Sequence, residues 1–223
     1  MKIVPAILAD SAEEFRRLVG LAGRFADYVQ VDVMDGVLVP TKSFAVEEIN
    51  AVETPLSFEV HLMAMDPRAL ADRIEHRGLK KVVFHFEADV DHEALAARLR
   101  ARGLGAGLAI RPETSLNEVR EVAGSFDTLL FMTVDPGSYG SPFRPEVLRK
   151  VAEARRIFPQ KTLAVDGGVS LDNLAAVAEA GADYACVGSR IFLHDDPAES
   201  FRLFTEKAMQ SHTRRDAQRP ARG

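Results

Sequence analysis

Cysteine is almost absent. Cys186 is the only one in 223 residues, so no disulfide can form within the chain. That excludes a disulfide-held scaffold and sets the expectation of a reducing compartment, the cytoplasm. Long apolar runs are missing too, and none approaches the ~20 residues of a membrane helix. The opening MKIVPAILAD has no apolar stretch of the length a secretion signal needs, with Asp10 arriving early. No membrane partner is expected. Nor is there a basic surplus: Lys and Arg number 28 against 33 Asp and Glu, a net charge of −5. That balance argues against a nucleic-acid partner. No linker or shift of composition divides the chain, and its length lies within what one barrel domain occupies.

What is present is the composition of an ordinary globular protein, 47% hydrophobic and 27% charged. Short β-branched runs alternate with longer helical patterns. The runs predict strands at 3–8, 28–34, 56–63, 81–87, 105–110, 128–134, 162–166 and 184–188. Helices are predicted at 12–24, 46–52, 67–77, 92–102, 116–123, 145–157, 171–180 and 198–209. Asp66-Pro67 reads as an N-cap followed by proline in the first turn, and Ser170 as another N-cap. Gly78, Gly103 and Gly181 stand where helices should stop. A doubly wound open sheet also alternates in this way. Eight units spread over the whole chain favour an α/β fold, a single-domain (β/α)8 TIM barrel over residues 1–210. Residues 211–223, arginine-rich and without apolar periodicity, are expected to be a basic, disordered tail.

In such barrels the reacting groups sit at the C-terminal ends of strands. Strand two ends in Gln30-Val31-Asp32-Val33-Met34, and the two-residue spacing puts Gln30 and Asp32 on one face. Strand three supplies His61 and strand seven Asp166. Two carboxylates and an imidazole suit a divalent metal such as zinc, manganese or iron(II). The same carboxylates could instead flank a flat substrate and exchange protons. Singly, Asp32 reads as half of a structural ion pair and His61 as a core histidine. Their convergence at strand ends is what makes them a site.

A second cluster is rich in glycine: Asp135-Pro136-Gly137-Ser138-Tyr139-Gly140, then Gly167-Gly168, then Gly188-Ser189. Each is an ordinary turn by itself. Three consecutive strand-to-helix loops of this kind point to bound phosphate, because glycine lets backbone N–H groups approach a ligand closely. The implied substrate is a small phosphorylated metabolite.

These residues resemble the ribulose-phosphate 3-epimerase family. The likeness runs along nearly the whole chain: PAILAD at 5–10, VDVMDGVLVP at 31–40, HLM at 61–63, FMTVDPGSYG at 131–140, VDGGV at 165–169 and VGSRIF at 187–192. The resemblance implies a (β/α)8 barrel and a cytoplasmic isomerase that interconverts D-ribulose 5-phosphate and D-xylulose 5-phosphate. One aspartate takes the C3 proton and the other returns a proton to the opposite face, through an enediolate. Carried onto this chain, the acid/base pair is Asp32 and Asp166, and the metal positions are Gln30, Asp32, His61 and Asp166. Substrate and phosphate fall to Ala6, His61, Gly137, Ser138, Tyr139, Gly140, Asp166, Gly167, Gly168, Gly188 and Ser189. Met34, Met63 and Met132 match methionines lining the reaction centre, and a homo-oligomer is implied.

The chain departs from the family pattern in three places. Gln30 stands where the family usually has histidine, which predicts weaker or altered metal binding, favouring a harder ion such as manganese. Ala6 replaces a serine that holds substrate, and Ala9 a serine frequent in the motif. Ser138-Tyr139 and Arg111 alter the substrate loops. These changes keep two other readings open: an epimerase for a hexulose or tetrulose phosphate, and a non-catalytic sugar-phosphate-binding barrel. Met34 occupies the position where a related decarboxylase group, with its Asp-x-Lys-x-x-Asp signature, carries lysine, which argues against decarboxylation.

Overall fold

The predicted alternation closes on itself. The computed structural model describes residues 1–137 and 140–218, with the backbone alone for 211–218. In chain order the elements are β1 Lys2–Ile7, α1 Ala12–Ala22, β2 Tyr28–Met34, α2 Glu48–Ala51, β3 Ser57–Met63 and α3 Pro67–Ala71. There follow β4 Leu79–His85, α4 His92–Ala101, β5 Gly105–Ile110, α5 Leu116–Val119, a 3-10 turn at Val122–Ser125 and β6 Thr128–Met132. The chain continues through α6 Val147–Ile157, β7 Thr162–Asp166, α7 Leu174–Ala180, β8 Tyr184–Val187, α8 Ser189–Phe192 and α9 Pro197–Gln218. Among the described residues the eight strands form one closed parallel barrel in sequence order, β8 pairing with β1.

Local chemistry sets the boundaries. Asp66 accepts from the Ala69 N–H at 3.2 Å and caps α3, as its sequence predicts. Ser11 and Asp91 cap α1 and α4 in the same way. Gly181 ends α7 with φ 110°, a conformation glycine adopts without strain. Strand β6 stops two residues earlier than expected. Thr133 leaves the ladder, its N–H and hydroxyl both bonding the Asp166 carbonyl, at 2.7 and 3.0 Å. Helix α7 starts later than expected, since Ser170 and Asn173 bond each other and leave Leu174 as the first helical residue. Helix α9 runs on to Gln218, past the expected start of a tail at 211, because nothing in that stretch breaks a helix. Residues 219–223 lie outside the described ones.

Alternation along the strands builds two cores. Outward-facing Val29, Val31, Val33, Val60 and Leu62 pack beneath the helices with Phe15, Ile49, Phe84 and Phe126. Inward-facing Val4, Ala6, Val83, Ala109, Leu130, Met132, Ala164 and Cys186 fill the barrel. At its base Glu59, wholly buried, takes Lys81 Nζ at 2.9 Å and the hydroxyls of Tyr184 and Tyr28 at 3.0 and 3.2 Å. This polar plug satisfies every buried charge it contains. The register puts Asp32 beside His61, Met132 beside Asp166, and Asp166 beside Cys186. No helix among the described residues is long and apolar enough to cross a membrane.

Candidate active site

Strand alternation carries Asp32 on β2, His61 on β3 and Asp166 on β7 to the inside of the barrel's C-terminal end. All three are buried. His61 Nδ1 lies 3.2 Å from Asp32 Oδ1 and 3.4 Å from Asp166 Oδ2. The three offer ligand atoms all within 4.8 Å of one another, so this group can hold a metal ion. Two carboxylate oxygens and one imidazole nitrogen are a fitting donor set for a divalent cation.

Gln30 joins the cluster, but its oxygen faces away from it. Its Nε2 donates to Asp32 Oδ1 at 3.0 Å and to Asp166 Oδ2 at 2.7 Å. The amide oxygen instead accepts from the Cys186 thiol at 3.0 Å. In this arrangement Gln30 presents donors to the carboxylates and no ligand atom to a cation. The thiol, a residue to which sequence reasoning assigned no role, fixes that orientation.

Burial raises the Asp32 carboxyl to about 6, with Asp166 nearby adding to the effect and His61 and Gln30 opposing it. Burial also opposes charge on His61, yet the Asp166 and Asp32 carboxylates outweigh it and push the imidazole up to about 9. Burial pushes the Cys186 thiol upward, so it stays a protonated donor.

Above the cluster opens a cavity of about 580 Å³. Ala6, Asp32, Met63, Met132 and Asp166 line its floor, and Gly137, Gly140, Gly167, Gly168, Gly188 and Ser189 its rim. Gln30 and His61 are wholly buried beneath it. Ala6 contributes only a methyl group. Met34 does not reach the lining and packs with Leu38, Val39 and Met63. Ser138 and Tyr139 lie outside the described residues.

The glycines have structural reasons of their own. A Cβ on Gly167 would stand 2.3 Å from Val134 Cγ2, at φ 107°, and one on Gly137 would stand 2.9 Å from Val39 Cβ, at φ 109°. Their absent side chains also leave the rim open to a ligand. Arg111 is half-buried: it donates to the Leu38 carbonyl and pins the loop that follows β2. It does not line the cavity.

Sequence reasoning also missed His85 and Glu87. His85 Nε2 lies 3.0 Å from His61 Nε2, and His85 Nδ1 lies 3.1 Å from Glu87 Oε2. Burial lowers His85 to about 4. Burial would raise Glu87, but its bonds to His85 and Thr114 prevail and hold it down at about 2. The spacing that singled out Gln30 and Asp32 recurs in His85 and Glu87 and was the available signal.

A family model described as the ribulose-phosphate 3 epimerase family matches residues 2–192. Among curated proteins, the chain is similar to a ribulose-phosphate 3-epimerase of Mycobacterium tuberculosis, 37% identical over 215 residues and covering 92% of each chain. It is also similar to one of Schizosaccharomyces pombe, 32% identical over 204 residues, covering 89% of this chain and 90% of that one. A third, the cytoplasmic isoform of Oryza sativa, is 32% identical over 208 residues, with 89% and 90% covered. Among solved structures, the 3-hexulose-6-phosphate synthase of Salmonella typhimurium superposes with a TM-score of 0.68 at 20% identity, covering 95% of this chain and 100% of that one. The orotidine 5'-monophosphate decarboxylase of Sulfolobus solfataricus gives 0.65 at 14% identity, covering 94% and 98%. At those identities the two structures bear on the fold alone.

Proposed function

The chain belongs to the ribulose-phosphate 3-epimerase family, and from that membership we propose that it interconverts D-ribulose 5-phosphate and D-xylulose 5-phosphate. The observation that carries the reading is the pair of buried carboxylates, Asp32 and Asp166, both lining one cavity beneath three glycine-rich loops. Inversion at C3 needs one base and one acid, on opposite faces of the carbon. Asp32 from β2 and Asp166 from β7 supply two such groups from different strands. One takes the C3 proton, leaving an enediolate, and the other delivers a proton from the far side. One turnover leaves the two aspartates with their protonation states exchanged, and proton exchange with solvent resets them for the next substrate.

Asp32, His61 and Asp166 are the residues that would hold a divalent cation. A cation bound there supplies neutralisation of the negative charge that develops on the 2-oxo and 3-hydroxy oxygens. The set is richer in oxygen than in nitrogen, which suits manganese or iron(II) better than a histidine-rich set would. Gln30 steadies both carboxylates with its amide hydrogens. Met63 and Met132 give the floor an apolar lining, so the intermediate meets few competing hydrogen bonds. Peptide N–H groups of the loops at Gly137, Gly140, Gly167-Gly168 and Gly188-Ser189 take the phosphate. The site of action is the cytoplasm, in keeping with a single, buried thiol.

The test is deuterium incorporation at C3 of D-ribulose 5-phosphate in D2O. Exchange accompanied by formation of xylulose 5-phosphate is expected. Faster turnover of a hexulose or tetrulose phosphate would move the substrate, and binding without exchange at C3 would remove the activity.

A further inference from the structure

We propose that His85 and Glu87 are positioning residues that keep a proton on His61 Nε2, so that Nδ1, the nitrogen facing the two aspartates, is the one His61 gives up to a cation. The inference rests on the reading of Asp32, His61 and Asp166 as a cation site. Glu87 Oε1 accepts the Arg111 peptide N–H at 3.1 Å and the Thr114 hydroxyl. A peptide N–H can only donate, so the carboxylate is held as an acceptor. Its other oxygen, Oε2, then accepts a hydrogen bond from His85 Nδ1 at 3.1 Å.

Neutral His85 with its proton on Nδ1 has a bare Nε2. That atom faces His61 Nε2 at 3.0 Å, and one proton lies between them. His85 cannot supply it without placing a second proton on a ring that is wholly buried. His61 therefore donates from Nε2, which leaves Nδ1 as its ligating atom. Nδ1 is the nitrogen that lies 3.2 Å from Asp32 and 3.4 Å from Asp166. The two rings lie end to end along this contact, 5.1 Å between centroids and only 19° between planes, which fixes the orientation of His61 as well as its tautomer. Metal-binding histidines are oriented by donating their other ring N–H to an acceptor, and here that acceptor is a second imidazole, itself held by a carboxylate.

The experiment combines nitrogen NMR of the imidazoles with zinc affinity by chelator competition, using the full chain and zinc as a diamagnetic probe. In wild type, with or without zinc, His85 should carry its proton on Nδ1, and His61 should carry one on Nε2. Zinc should perturb His61 Nδ1. Glu87→Gln, whose amide can donate to His85 and reverse the chain, should weaken zinc about 10–100-fold. His85→Leu should do the same, and His85→Gln, which keeps an acceptor, should recover part of the loss. Circular dichroism excludes variants that fail to fold. A wild-type His85 protonated on Nε2 overturns the proposal whatever zinc does. So does unchanged zinc affinity in folded Glu87→Gln and His85→Leu. Zinc that binds no better to wild type than to Asp32→Asn defeats the cation site alone, and the His85 tautomer then still decides the relay.

Discussion

The Cys186 thiol donates to Gln30 Oε1 at 3.0 Å, and this one contact determines which end of the Gln30 amide meets the Asp32 and Asp166 carboxylates. A thiol pushed up by burial has a proton to give and little acceptor strength, so the oxygen turns to it. The amide hydrogens are left for Asp32 and Asp166. Replacing Cys186 with alanine strands the Gln30 oxygen in the barrel. The expected loss of stability in urea is about 1–3 kcal/mol, with Cys186→Ser, which keeps a donor, losing less.

Gln30→His should place an imidazole where the amide now stands and add a nitrogen ligand. Zinc affinity, measured by titration calorimetry, should rise relative to manganese. Equal changes for both ions would count against a shift in donor character.

Cation binding should raise the midpoint of thermal unfolding of wild-type protein stripped of metal. At 100 times the dissociation constant the stabilisation is about 2.7 kcal/mol. Asp32→Asn should abolish the shift, and should also cut C3 exchange by roughly 10²–10⁴-fold while circular dichroism stays unchanged. Asp166→Asn should behave alike.

Stability of the metal-free protein should fall as pH rises from about 6.5 to about 9. His61 has a folded value above its ordinary 6.5, so its charge favours the folded state below 6.5 and ceases to do so as pH passes about 9. One proton limits the slope to about 1.4 kcal/mol per pH unit. His85 and Asp32 titrate below this window, at about 4 and about 6. A His61→Asn variant should lose the slope, as urea titrations across the range would reveal.

Gly167→Ala and Gly140→Ala separate crowding from backbone strain. Both glycines have positive φ, 107° and 84°, so either substitution costs about 1–2 kcal/mol from the left-handed conformation. A Cβ on Gly140 meets nothing within 4 Å, whereas one on Gly167 stands 2.3 Å from Val134. Gly167→Ala should therefore lose a further ~1–3 kcal/mol in urea unfolding. Equal losses would mean that Val134 moves aside freely.

The sequence alone determined the barrel and the identity of its main polar residues. Eight β-branched runs separated by helical patterns leave few architectures, and turn and cap residues such as Asp66 and Gly181 act through their immediate neighbours. Asp32, His61 and Asp166 were legible because strand ends in this architecture share one face of the barrel. Only the tertiary structure decided which way each polar atom points. The orientation of the Gln30 amide depends on Cys186, 156 residues away, and the His61 tautomer on His85 and Glu87, at the end of the next strand. Met34 was placed at the reaction centre by its motif, yet Leu38 and Val39 draw it aside. Such preferences come from hydrogen bonds and packing between strands, and no local pattern of residues encodes their partners.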